Sequence, residues 1–335
     1  MRVEIIGAGI VGLTAAFELA RQGAARQIQV ELVERQPQAG LGCSRFAGGM
    51  IAPWCELVSA EPIVATLGAE ALEFWTKDIP VATVAGSLVV APARERAELV
   101  DFSRRAQNFE DLGAAEVARL ESDLADRFDG ALYFASEAHL DPKAAMAALR
   151  DRLAQTPNVT LRFGANARGD ADWTVDCRGF GARDELAELR GVKGEMLMLR
   201  SNDLTLSRPV RMLHPKRPVY VVPRGDGLFM IGATMIENEE AARVTARSVV
   251  ELINSAYAIH PAFAEAEIVE MGSDVRPAFP DNLPRLTRRG RTLYINGLYR
   301  HGFLLAPALA RRAARVLLEG AWFPEVCNED SCQRA

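Results

Sequence analysis

No stretch of 18 consecutive apolar residues occurs in the 335-residue chain, which argues against a membrane-spanning helix. Basic charge is not in excess. The 39 Lys and Arg are outnumbered by 44 Asp and Glu, a net charge of −5, so nothing points to a nucleic-acid surface. The five cysteines, Cys43, Cys55, Cys177, Cys327 and Cys332, are odd in number and scattered, and read as reduced thiols of a cytoplasmic protein. No second Cys or His pair joins Cys327 and Cys332 to complete a zinc site, so no metal is expected and 326–335 reads as a solvated tail. The chain enters its first strand without a basic and apolar leader, so no secretory signal is expected. Histidines number only four, His139, His214, His260 and His301. Internal repeats and low-complexity segments are also absent.

What is present is an ordinary globular composition, 49% hydrophobic and 25% charged, in a chain long enough for two structural domains. Residues 1–35 carry the clearest signal. A short apolar run containing Val3, Ile5 and Ile6 meets Gly7-Ala8-Gly9-Ile10-Val11-Gly12, followed by a helix-like segment and a second strand-like run, 28–33, ending in Glu34. Gly7 allows the turn, Gly9 lets a pyrophosphate approach the backbone, and Gly12 lets helix and sheet pack closely. The helix N-terminus then offers free N–H groups to the phosphates. Glu34 lies 22 positions past Gly12, close to the roughly 20 expected of a ribose-binding acid. A dinucleotide site follows; which dinucleotide does not.

Residues 36–56 hold four glycines and two prolines with little charge, a composition suited to lining a ligand, and Ala47-Gly48-Gly49-Met50 would admit a planar ring. Helices are expected at 63–77, 93–105, 114–127 and 241–258. Another is expected from Pro142 to 154, with Asp141 as N-cap. From Gly194 the texture is β-rich, with a hairpin signal at Arg224-Gly225-Asp226-Gly227. A last helix is expected at 303–318. Bulky Phe46 and Trp54 are candidates to narrow a pocket, and His301 is expected to cap the last helix.

Three later segments place arginine beside strand ends, at Tyr220 to Arg224, at Arg276-Pro277 and at Tyr299-Arg300-His301-Gly302. An arginine held in apolar surroundings can clamp a carboxylate through two parallel hydrogen bonds, with a tyrosine hydroxyl adding a third. Each arginine taken singly reads better as a surface ion pair.

These segments, GAGIVGLTAAFELA, AGGMIAPWCE, VKGEMLMLR, YVVPRGDGLFMIGATM, VRPAFPDNLPRL and NGLYRHGFLLAPALA, resemble those of the flavin-dependent amino-acid oxidases of the D-amino-acid oxidase superfamily, in the same order and over nearly the whole chain. Within that superfamily they are most similar to the glycine oxidases of thiazole (thiamine) synthesis. The resemblance implies a noncovalent FAD and an α/β fold, a Rossmann-like FAD-binding domain with a β-rich substrate domain, discontinuous in sequence. The expected division is 1–55, 140–190 and 270–325 for FAD, and 56–139 and 191–269 for substrate. Beyond Gly7, Gly9 and Gly12, FAD positions fall on Ile10, Val11, Glu34, Arg35, Cys43, Ser44, Gly48, Gly49 and Met50. A last set falls on Leu298, Tyr299, Arg300, His301, Gly302, Phe303 and Leu304. The substrate carboxylate falls to Arg276 assisted by Tyr220, with Met235 near the side chain and the Arg300 main chain also in contact.

The implied activity is oxidative deamination of glycine to the imine and glyoxylate, with ammonia and hydrogen peroxide, by hydride transfer to flavin and with no catalytic protein residue. Implied partners are a small amino acid and molecular oxygen, with an oligomeric state and a link to thiazole synthase. The chain departs from the family's usual pattern at Cys177-Arg178-Gly179 and Gly297-Leu298-Tyr299. A short 163–173 region leaves 165–167 to meet the adenine. Three alternatives stand beside this reading: an FAD enzyme of sarcosine, proline or D-amino acids, a nicotinamide-dependent dehydrogenase, and a non-catalytic nucleotide-binding scaffold.

Overall fold

The computed structural model describes residues 1–215, 218–240 and 243–329. Its first sheet has seven strands in the order Cys327–Glu329, Arg285–Arg289, Thr292–Asn296, Trp173–Asp176, Arg2–Ile6, Gln29–Glu34 and Val159–Phe163. The central strand, Arg2–Ile6, pairs in parallel with Gln29–Glu34 and with Trp173–Asp176. Its apolar residues Val3 and Ile5 are buried because helices cover the sheet, as parallel sheets require. The helix Ile10–Gly23 packs on the last helix, Gly302–Glu319, and both feed one core through Leu13, Ala16, Leu19, Leu305, Leu309 and Ala313. Small residues at this contact allow the two helices to approach closely. The helix Pro142–Ala154 joins the same core through Leu149 and Leu153, and begins as its sequence dictates: Asp141 Oδ1 accepts from Ala144 N at 2.8 Å.

The second sheet runs Ile236–Glu237, Arg190–Arg200, Leu228–Gly232, Val219–Gly225, Val210–Met212, Ser87–Val90, Gly130–Phe134 and Glu110–Gly113. Glu267–Ala278 also pairs with Arg190–Arg200, antiparallel along its whole length. The hairpin turn is Asp226-Gly227, both at positive φ (50° and 68°), the geometry that matches strand twist. A separate core lies between this sheet and the helix Ala246–Ile259, built from residues such as Leu197, Val221, Ile231 and Leu252. A mainly parallel sheet under helices, joined to a mainly antiparallel one, is the expected fold class.

Some boundaries differ from the sequence reading. Residues 62–79, expected with the substrate unit, pack into the first core, where Phe74 and Trp75 are fully buried and Trp75 Nε1 donates to Phe303 O at 2.9 Å. Glu267–Ala278 is one strand across the expected 269/270 boundary. Cys327–Glu329, the start of the expected tail, extends the first sheet, while Cys332 lies outside the described residues. The expected helix at 114–127 stops at Leu120 because Glu121 turns inward, accepting from Arg208 Nε at 2.6 Å and Ser207 N at 3.1 Å. The helix expected from 241 starts only at Ala246, capped by Thr245 Oγ1, which accepts from Ser248 N at 3.2 Å. Among the described residues, no helix is long and apolar enough to cross a membrane.

Candidate active site

The strand Arg2–Ile6 ends at Gly7, whose φ of 99° suits only glycine. A Cβ on Gly12 would stand 1.8 Å from Gly7 O, so strand and helix meet this closely only without a side chain. At Gly9 a Cβ would meet nothing nearer than Ser44 Oγ, at 3.4 Å, which marks the open side of the turn. Ser44 Oγ accepts from Ile10 N at 3.2 Å, and no acid occupies the first turn of the helix beginning at Ile10, followed by half-buried Val11. The helix dipole therefore faces the open side with no acid in the helix's own first turn.

Glu34 is fixed beside this turn, Oε2 accepting from Ala8 N at 2.8 Å and Oε1 from Gln36 N at 2.9 Å. Ala165 N donates to Glu34 O at 3.1 Å, bringing the start of 165–167 to the same end. Arg35 points to solvent. Cys43 is half-buried, and its thiol is pushed up to about 12, first by desolvation and then by Asp274. This cradle of glycines, a helix N-terminus without an acid in its first turn and a fixed acid at Glu34 fits the ADP half of FAD.

At the other end lies a cavity of about 870 Å³, its mouth included. Gly48, Gly49, Met50, Phe303 and Leu304 line one part, and Tyr220, Met235, Arg276, Arg300 and His301 another. Stretches far apart in the chain, at 48–50, 220, 235, 276 and 300–304, thus meet at one cavity. Leu298 is buried beside them, and Tyr299, at a φ of 51°, donates from its hydroxyl to Met235 Sδ at 3.3 Å. Gly302 opens the last helix. A Cβ on Gly48 would lie 2.7 Å from the Tyr220 ring, so glycine here lets the tyrosine rest against the loop. The loop is held from behind by Arg224, whose Nη2 donates to Gly48 O at 2.7 Å. Burial pushes Arg224 down to about 10, and the residue does not line the cavity, so the first of the three candidate arginines is a loop anchor and not a clamp.

Arg276 does line the cavity. Its Nη1 donates to Thr234 O at 3.0 Å, a neutral acceptor that leaves the cation's charge for a ligand. Burial raises the Tyr220 phenol above its ordinary value, with Arg276 opposing, so it is an intact O–H donor at neutral pH. The Arg300 side chain is committed elsewhere, donating through Nη2 to Glu56 Oε2 at 2.5 Å and to Ser59 Oγ at 2.7 Å. His301 stands at the N-cap position without capping. Its Nε2 meets Glu56 Oε2 at 3.0 Å instead, and burial lowers its pKa.

Sequence reasoning assigned no role to Glu56 or Arg211, both of which line the cavity. Glu56 carried a signal, as the first acid after Glu34 in a nearly uncharged stretch. Arg211 carried none, lying in an unremarked strand. Conversely, Trp54 and Phe46 do not line the cavity: Trp54 Nε1 donates to Ser136 Oγ at 3.2 Å, and Phe46 lies where a Cβ on Gly272 would be, 2.3 Å away.

The cradle and cavity together define a flavoenzyme of the FAD dependent oxidoreductase (DAO) family, whose model matches residues 2–316, and the chain belongs to that family. It is 51% identical over 328 residues, 97% of its length and 99% of the relative's, to a Rhizobium etli protein carrying the name thiamine biosynthesis oxidoreductase ThiO. Two crystal structures share the fold. The glycine oxidase of Geobacillus kaustophilus aligns with a TM-score of 0.79 at 25% identity, over 97% of this chain and 96% of that one. Iminodiacetate oxidase from Chelativorans sp. BNC1 aligns at 0.82 and 26%, over 98% and 99%.

Proposed function

We propose that the chain oxidatively deaminates glycine and other small amines to the imine and glyoxylate, with ammonia and hydrogen peroxide, and supplies dehydroglycine for the thiazole of thiamine. The carrying observation is that Arg276 and Tyr220 share one cavity with the Gly48–Met50 loop and the start of the last helix. FAD, when bound, supplies the two-electron acceptor. The residues that would hold it are the Gly7–Gly12 turn with Ile10 and Val11, Glu34, Arg35, Cys43, Ser44, the 48–50 loop and 298–304.

Arg276 would clamp the substrate carboxylate, with the Tyr220 hydroxyl donating a further bond. Fixing that end orients the Cα–H bond, and orientation is the protein's main contribution where the cofactor carries the chemistry. Met235 would bound the side-chain direction, and the Arg300 main chain would add a contact. Molecular oxygen as acceptor, an oligomeric state, a cytoplasmic location and a link to thiazole synthase belong to the same proposal. So does the division into cofactor and substrate units, with 62–79 moved to the cofactor unit.

The test is an anaerobic spectrum of the purified protein with glycine. Bleaching of the flavin by glycine is expected, and flavin that stays oxidised counts against the reading. A second reading is oxidation of secondary amines such as sarcosine, suggested by the 26% identity to iminodiacetate oxidase, whose named substrate is a secondary amine. Comparing turnover of glycine, sarcosine and D-alanine separates the two.

A further inference from the structure

Among the described residues that line the cavity, Glu56 is the one carboxylate. The function proposed above gives it no task. It ends the short helix Pro53–Glu56, and its two oxygens are unequally engaged. Oε2 meets Arg300 Nη2 at 2.5 Å, His301 Nε2 at 3.0 Å and Ser59 Oγ at 3.3 Å. Oε1 has a long contact to Arg211 Nη1 at 3.4 Å. A carboxylate has about four acceptor positions, two on each oxygen, so Oε1 retains capacity that Oε2 has spent.

Arg276 and Tyr220 line the same cavity as Glu56. The cavity therefore holds three cations, Arg211, Arg276 and Arg300, of which Arg276 is able to take a carboxylate, and one anion, Glu56, with an oxygen able to take an ammonium. We propose that Glu56 Oε1 receives the amino group of the substrate while Arg276 holds its carboxylate, and that this pairing selects amino acids over simple carboxylates. The assignment rests on the oxidase reading above and deepens it.

Burial opposes the charge on Glu56, but Arg300, His301 and Arg211 hold its carboxyl well below the usual range. Such an anion binds an ammonium and is a poor acceptor of its proton, so Glu56 is a recognition residue and not a base. The groups facing it are Arg211 from the strand Val210–Met212, Arg300 and His301 before the last helix, Cys55 and Glu137 behind it, and Tyr220 and Arg276 across the cavity. A neighbouring anion favours the charged amine and raises its pKa in the complex. Oxidation requires the neutral amine, so the rising limb of kcat against pH sits higher with Glu56 than without it.

The experiment compares holoenzyme and Glu56→Gln, a near-isosteric change. Three quantities are read: KM for glycine, the pH profile of kcat, and the Kd of acetate from its perturbation of the flavin spectrum. The expected result is a KM for glycine raised tenfold or more, an acetate Kd unchanged or tighter, and a kcat limb displaced to lower pH. Acetate binding also reports that the variant is folded with Arg276 in place. Equal weakening of glycine and acetate overturns the assignment, because Glu56 would then only brace Arg300 and His301. An unchanged glycine KM overturns it as well. Wild-type enzyme that leaves glycine unoxidised overturns the oxidase reading itself, and is seen before any variant is made.

Discussion

Gly194 lies directly against the guanidinium of Arg276: a Cβ at residue 194 would stand 2.1 Å from Nη2 and 2.3 Å from Cζ. The two residues sit on the paired strands Arg190–Arg200 and Glu267–Ala278, where Gly194 is opposite Asp274. The missing side chain leaves the space that the guanidinium occupies, so Gly194 fixes where Arg276 lies in the cavity lining.

Gly194→Ala is therefore expected to push Arg276 aside while leaving the sheet intact. Losing a charge-assisted pair costs about 1.5–3 kcal/mol, roughly tenfold to a hundredfold in affinity. KM for glycine should rise by about that factor with flavin content unchanged. A normal KM would mean that Arg276 does not bind the carboxylate, or that it finds the same place by another path.

Gly12→Ala puts a methyl group 1.8 Å from Gly7 O, a backbone atom that cannot swing away. Strand and helix must separate, and overpacking of this kind typically costs about 1–3 kcal/mol. The expected outcome is a lower Tm together with a reduced flavin-to-protein absorbance ratio. Full FAD retention would show that the pyrophosphate does not depend on this turn.

Glu137 supports the turn that carries Glu56. Its Oε1 accepts from Trp54 N at 3.0 Å and Cys55 N at 2.8 Å, and its Oε2 accepts from Ser87 Oγ. Burial nevertheless pushes its carboxyl up to about 8, from an ordinary 4.5. The folded state therefore holds this proton more tightly than the unfolded chain does. The stability it contributes is fully present in acid and is lost as pH rises from the unfolded value through about 8. Glu137→Gln has no such titration. Relative to wild type it should gain stability between pH 5 and 9, on the order of a few kcal/mol, in urea melts across that range. A difference independent of pH would show that the three donors keep the carboxylate ionised.

The sequence by itself determined the nucleotide cradle and most of its elements. Gly7, Gly9, Gly12 and the helix after them are neighbours in the chain, and local backbone sterics make their spacing readable. The same holds for the Asp141 cap and the Asp226-Gly227 turn. That the 48–50 loop and Arg276 belong together was legible only through their combination in order with other segments, since a lone arginine carries no address, and both line the cavity.

Tertiary structure alone decided which arginines face the cavity. Arg224, Arg276 and Arg300 read alike in sequence, yet one anchors a loop, one lines the cavity with its charge uncommitted, and one is spent on Glu56. It also decided the pairing of Glu56 with Arg211, which are 155 positions apart. Neither has a local pattern, because what defines them is a charge brought close where the helix Pro53–Glu56 meets the strand Val210–Met212. Electrostatic partnership depends on distance and burial in space, and neither is written in the spacing of residues along the chain.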